Sequence, residues 1–194
     1  MMEYVLIIIG AVLVNNFVLV RFLGICPFLG VSKDTESALG MGFAVIFVMT
    51  VSSVITYALY VFVLSPLELE YLMTITFVLV IAALVQSIEV VIKKISPSLY
   101  ESLGIYLPLI STNCAVMGVA LLNITNIAEI DNILKAFLHG FGSGAGFMLA
   151  LVLMAGIRER MEGAQVPESF KGFPISLIAA SIMAMAFAGF ASLI

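Results

Sequence analysis

Leu107–Gly118 reads LPLISTNCAVMG. It sits inside an apolar segment long enough to cross a bilayer, yet it carries Pro108, Ser111, Thr112, Asn113 and Cys114 together. A helix that only faces lipid has no use for such a cluster, because non-helical backbone at membrane depth is tolerated only where protein or a cavity covers it. The other cysteine, Cys26, lies in a similar setting, GICPFLG, at Gly24–Gly30. Both have the form Cys-x-x-x-Gly, from Cys26 to Gly30 and from Cys114 to Gly118. The pattern predicts two broken helices that meet near the membrane centre with their cysteines facing inward.

Composition sets the class. The 194 residues are 63% hydrophobic and only 10% charged, against roughly 25% charge in a soluble domain. So few charges cannot cover a globular surface, and the chain reads as an integral membrane protein. Nucleic acid is not expected as a partner, since the 8 Lys and Arg form no basic stripe. The first segment is apolar from Tyr4 with no basic region before it and no small-residue cleavage site, so it reads as a retained helix and not a signal peptide.

Six apolar segments emerge, at Tyr4–Leu29, Ala38–Leu64, Tyr71–Ile92, Leu99–Leu122, Ile133–Ile157 and Phe173–Ile194. Each reaches the roughly 20 residues of a spanning helix, and none alternates as a barrel strand would. Lys33, Lys93, Lys94, Arg158, Arg160 and Lys171 fall after the odd-numbered segments. Glu68, Glu70, Glu129 and Asp131 fall on the opposite side, with Lys135 as the one base near them. Bases prefer the cytoplasm, which predicts both termini outside. The expected fold is therefore an all-α polytopic membrane protein of six transmembrane helices. They form two inverted three-helix halves, 1–96 and 97–194, with broken first and fourth helices. Gly40-Met41-Gly42-Phe43 and Gly144-Ala145-Gly146-Phe147 echo one another between the halves.

Within the spans, Asn15 and Asn16 suit hydrogen bonds across helices, and Arg21 can snorkel to the surface. Ser52, Ser53 and Thr56 can bond back to their own helix. Gly140, Gly142, Gly144 and Gly146 permit close helix approach, and the alanines of the last segment suggest tight packing. Cys26 and Cys114 admit two readings: small buried hydrophobes, or soft thiolate ligands of a metal or cluster. Two cysteines fill half of a four-cysteine site, so a cluster would need two more from another chain. Glu89 is either the i,i+4 partner of Lys93 or an intramembrane carboxylate with a functional role. Gln86 shares a similar face. His139 reads as structural or interfacial, since a haem would need a second axial histidine and the chain has one. There is no nucleotide-binding glycine fingerprint.

The runs LVNNFVLVRFLGICPFLGVSK (Leu13–Lys33), LGIYLPLISTNCAVMGVALLN (Leu103–Asn123), GFGSG (Gly140–Gly144) and AGIRERM (Ala155–Met161) closely resemble the A-type subunits of bacterial Rnf complexes. These are ion-pumping ferredoxin:NAD oxidoreductases, and the E subunit of the sodium-pumping NADH:quinone reductase is their near relative. The resemblance spans essentially the whole chain. It implies a membrane-embedded electron-transfer subunit of a redox-driven translocase, in the bacterial inner membrane, that binds no substrate itself. It further implies that Cys26 and Cys114 supply two of four ligands to an intramembrane [2Fe-2S] cluster shared with a homologous inverted subunit of the Rnf E type. Flavins, further iron–sulfur clusters and the NADH site would belong to other subunits, and the cation moved would be sodium or a proton, with Glu89 near its path. The rival readings are a cofactor-free secondary transporter and a structural anchor subunit.

Overall fold

A computed structural model of the chain describes residues 2–32, 34–95, 107–125, 130, 132–163, 167 and 170–192. It is helical throughout most of them. Helix α1 (Met2–Ile9) runs into a π-helical turn at Gly10–Val14, and after an irregular stretch comes α2 (Ile25–Val31). Helix α3 (Thr35–Leu59) ends in a second π turn, Tyr60–Leu64, and a 3₁₀ turn at Glu70–Leu72 leads into α4 (Met73–Ile95). Then come α5 (Leu107–Ser111), α6 (Cys114–Thr125), α7 (Ile133–Glu162), α8 (Phe173–Ala188) and a final 3₁₀ turn, Gly189–Ser192.

The expectation of six spanning helices in two inverted triads is corrected here. Among the described residues, four helical stretches are long and apolar enough to cross a membrane: Thr35–Leu64, Glu70–Val90, Pro108–Thr125 and Ile133–Met161. Tyr4–Val14 and Phe173–Ala188 are shorter apolar helices. The physical reason is that apolar length is not helix length. In the first segment the backbone leaves the helix at Asn15 and does not resume it until Ile25, so neither piece reaches across. In the last segment the α-helix stops at Ala188 after 16 residues. The two Cys-x-x-x-Gly sequences also sit differently. Gly118 is packed against Leu23, which would stand 2.7 Å from a Cβ there, whereas nothing lies within 4 Å of the same atom at Gly30.

Helices α3 and α7 are the axis of the molecule, and glycine lets them pack backbone to backbone. A Cβ on Gly144 would stand 2.7 Å from Ile46 Cα, and one on Gly140 would stand 2.7 Å from Ser53 Cβ. Half a turn round the same helix, Gly142 and Gly146 admit α1 and its π turn, with Val12 Cα 3.1 Å from a Cβ on Gly146. Phe17, Met41, Met49, Phe77, Phe147 and Met154 fill the core around this axis. The alanines of α8 divide: Ala179 and Ala180 pack half-buried against the core, whereas Ala186 and Ala188 are exposed, and the helix turns Ser176, Met183 and Phe187 fully inward.

One end of the molecule gathers the termini of three helices. Arg158 on α7 donates to Leu29 O at 2.8 Å and to Ser32 Oγ at 3.0 Å, so it satisfies a carbonyl left over at the end of α2. Beside it, the Glu159 carboxylate accepts from the Thr35 backbone N–H, 2.9 Å, and from its hydroxyl. At the other end Tyr60 donates to Glu70 at 3.0 Å. Lys33, Glu129 and Asp131, which also entered the orientation argument, lie outside the described residues, as does the start of the fourth segment, 99–106.

Candidate functional site

Among the described residues the chain leaves its helical path twice within apolar segments, and the two places touch. The first runs from Asn15 to Gly24, where Phe22 (φ 56°) and Gly24 (φ 79°) both adopt the left-handed conformation. Glycine is required at the second of these. An added Cβ would meet Phe147 Cε2 at 2.7 Å and Asn113 Oδ1 at 3.1 Å, besides the cost of positive φ. Asn16, fully buried, replaces the missing ladder. Its amide donates to Val12 O (3.1 Å) and to Gly146 O (2.9 Å) across the helix pair. Its Oδ1 accepts from the N–H groups of Val18 (3.1 Å) and Leu19 (3.3 Å).

The second place is Thr112–Asn113, between α5 and α6. Pro108 precedes it, and its carbonyl collects the Thr112 N–H (3.2 Å) and the hydroxyls of Ser111 (3.0 Å) and Thr112 (2.8 Å). Asn113 caps α6 by accepting the Ala115 N–H at 3.0 Å. Its other amide atom, Nδ2, is buried without a hydrogen-bond partner, as is Ser52 Oγ on α3. The two breaks join where the Gly24 N–H donates to Cys114 Sγ at 2.9 Å.

A chain of polar side chains lies beside these breaks, among α3, α6 and α7. His139 Nδ1 and Asn123 Oδ1 are 2.6 Å apart, Asn123 Nδ2 donates to Ser53 Oγ, and Ser53 Oγ donates to Ala136 O at 2.6 Å. Because Asn123 offers its oxygen to the imidazole and its amide to the serine, the bonded ring nitrogen is the protonated one. Ser143 donates to the His139 carbonyl at 2.7 Å. The imidazole meets the Phe17 ring edge-on, with centroids 6.2 Å apart, and exposed Arg21 places its guanidinium 6.0 Å above the same ring. Asn123 and Ser53 are both buried. The chain thus ties the first break to the α3–α7 axis.

Sequence reasoning foresaw part of this. It gave Asn16 a bond across helices, but it set the breaks at Gly24–Gly30 and at Pro108, where the chain is helical over Ile25–Val31 and Leu107–Ser111; the irregular stretches are Asn15–Gly24 and Thr112–Asn113. It left His139 as a structural residue and read Ser53 as bonding within its own helix. Of the three residues expected to bond back, Thr56 does, to Ser52 O, Ser52 Oγ has no partner, and Ser53 reaches α7. The signal was available: one Asn, one His and one Ser in three different apolar segments, where polar groups seek one another.

The cluster reading is corrected. A [2Fe-2S] cluster takes four protein ligands. Among the described residues no group of three or more His, Cys, Asp or Glu stands together to hold a metal. Cys26, on α2, and Cys114, at the start of α6, are exposed free thiols that this chain does not enclose, and Cys114 Sγ is engaged by the Gly24 N–H. The iron–sulfur role and the shared-cluster function drawn from the resemblance therefore have no enclosed ligand set here. Glu89 is half-buried on α4, an element that carries neither cysteine, and Gln86 is exposed.

Comparison with known proteins agrees with a helical membrane fold. Residues 4–194 match the family described as Rnf-Nqr subunit, membrane protein. The chain is 58% identical over 192 residues to the A subunit of the Na(+)-translocating ferredoxin:NAD(+) oxidoreductase complex of Acetobacterium woodii, covering 99% of this chain and 98% of that one. It is 55% identical over 194 residues to the A subunit of the ion-translocating oxidoreductase complex of Aliivibrio fischeri, covering 100% and 99%. The corresponding protein of Syntrophotalea carbinolica is 57% identical over 194 residues, covering 100% and 99%. These relatives are A subunits and not E subunits, so the link drawn from the sequence to an E subunit is corrected. The chain belongs to the Rnf-Nqr family of membrane-protein subunits.

Proposed function

We propose that this chain is a multi-pass subunit of an ion-translocating oxidoreductase complex in a bacterial inner membrane, and that it serves the ion-moving part of that complex without a resident cofactor. Flavins, redox clusters and the NADH site are assigned to neighbouring subunits, and the bilayer is its solvent. Its relatives are named for such complexes. The observation that carries the reading is the buried chain His139–Asn123–Ser53 beside two adjoining helix breaks. An ionisable side chain inside a membrane is a functional-site hypothesis by default, and discontinuous helices are where transporters hold their ions. Glu89 is proposed as a second station on the route. The units 1–96 and 97–194 are proposed as two halves joined along the glycine-packed α3–α7 contact.

The test uses the intact complex in sealed vesicles carrying Glu89→Gln or His139→Gln. Ions moved per electron should fall several-fold while electron transfer and subunit co-purification persist. Unchanged ion yield in both variants would leave the chain a structural anchor.

The orientation proposed has the Arg158 end of α7 in the cytoplasm. It rests on Lys93, Lys94, Arg158, Arg160 and Lys171, and the bonds from Arg158 and Glu159 to Leu29, Ser32 and Thr35 support a single shared end. A cysteine introduced at Ser65 should react with an impermeant maleimide from outside intact cells. Labelling only after lysis would reverse the assignment.

A further inference from the structure

Helix α8 leaves an open groove between itself and the C-terminal half of α7. The groove holds about 570 Å³ and is lined by Leu153, Ile157 and Met161 on α7 and by Ile175, Ile178 and Ile182 on α8, with Ala186 at its far end. The three α7 residues recur at every fourth position and so form one stripe. Met161 lies near the end of α7 and Ile175 near the start of α8, so together they mark one mouth of the groove.

That mouth is the basic end of the molecule. Arg158 is turned inward to Leu29 and Ser32, and Glu159 is engaged by Thr35. Arg160 and Lys171 remain exposed. Arg160 follows Leu153 by two helical turns, within about 20° of it round the helix and about 100° from Met161, so it flanks the groove on the Leu153 edge. Lys171 sits one turn of chain before Ile175. From Ile175 to Ala186 the groove runs roughly 16 Å at about 1.5 Å per residue, close to half of a hydrocarbon core about 30 Å thick. It is therefore one leaflet deep and apolar along its length, with the exposed bases Arg160 and Lys171 near its mouth.

We infer that this groove binds one anionic phospholipid, with an acyl chain between α7 and α8 and the phosphate between Arg160 and Lys171. Basic residues at the mouth of an apolar cleft between membrane helices suit an anionic headgroup. A helix of a neighbouring protein would fit less well, because it would need an apolar surface across the whole core and would gain nothing from two cations at one end.

The intact complex, placed in nanodiscs of phosphatidylcholine with added phosphatidylglycerol, tests this by native mass spectrometry. One phosphatidylglycerol should remain bound. Arg160→Gln with Lys171→Gln should weaken its retention roughly thirty-fold, from about a factor of five for each basic group. Ala186→Phe, at the exposed far end of the groove, should weaken it with both cations in place. Co-purification of the other subunits checks that the variants fold. Equal retention of phosphatidylcholine, undiminished phosphatidylglycerol in the double variant, or a photocrosslink from Ile182 to another protein in place of lipid would each overturn the site.

Discussion

Asn16 and Asn113 each stand where a helix stops inside the apolar interior, and they close the gap differently. The first break is long, from Asn15 to Gly24, and its backbone keeps few bonds of its own, among them Val20 N–H to Asn16 O and Leu23 N–H to Phe17 O. Asn16 therefore uses its whole amide, with two bonds given and two received. The second break is a tight turn. Its backbone bonds nearly continue, with Asn113 N–H to Ile110 O and Val116 N–H to Asn113 O, both within 3.2 Å. Asn113 is asked for one bond only and has a donor left over. The same residue type is thus a scaffold in one place and a cap in the other, decided by how much backbone it must replace.

The contrast can be broken first at Asn16. Asn16→Ala removes four bonds, and bonds within membranes are measured at about 0.6 kcal/mol on average, reaching about 1.7. A loss of roughly 3 kcal/mol is expected, read as a lowered Tm of the detergent-purified complex. An unchanged Tm would mean that water or relaxed backbone serves the first break as well as Asn16 does.

At the second break the expected effect is smaller and depends on the replacement. Asn113→Ala removes a cap, worth about 1 kcal/mol. Asn113→Ser keeps an acceptor for the Ala115 N–H and removes the unpaired amide donor, so its Tm should match the parent or exceed it. If serine proves as harmful as alanine, Nδ2 has a partner in the assembled complex and the break is not a simple cap.

How much of this could be read from sequence follows from the distance over which each feature is decided. The Thr112–Asn113 pair and Gly24 signalled irregular backbone locally, through competing side chains and tolerance of positive φ, whereas Pro108 sits in the first turn of α5, where its missing N–H interrupts nothing. The glycines of α7 announced a close contact, though not that alternate ones serve two different neighbours. The extent of the first break was not legible, because it depends on Asn16 finding Gly146 O 130 positions away. Without that bond known, an apolar run such as Tyr4–Leu29 reads as one span. The His139–Asn123–Ser53 chain was hidden for the same reason: its members lie in three segments, and only the packed α3–α7 axis sets them side by side. The exposure of Cys26 and Cys114 is a matter of helix rotation, which a pattern of Cys-x-x-x-Gly does not encode.

The alternating glycines of α7 also have a mechanical meaning. With α3 seated at Gly140 and Gly144 and α1 with its π turn at Gly142 and Gly146, the helix behaves like a shaft keyed on two sides. Turning it would drive side chains into the neighbouring backbones, and sliding it would do the same after one step. Three elements thereby lose their freedom relative to one another and become a chassis. Freedom to move is left to parts mounted on that chassis by few fasteners, foremost α8, which rests against it along a single edge; α2 is held by Gly24 and Arg158 at its ends and by buried Phe28 and Val31 between them.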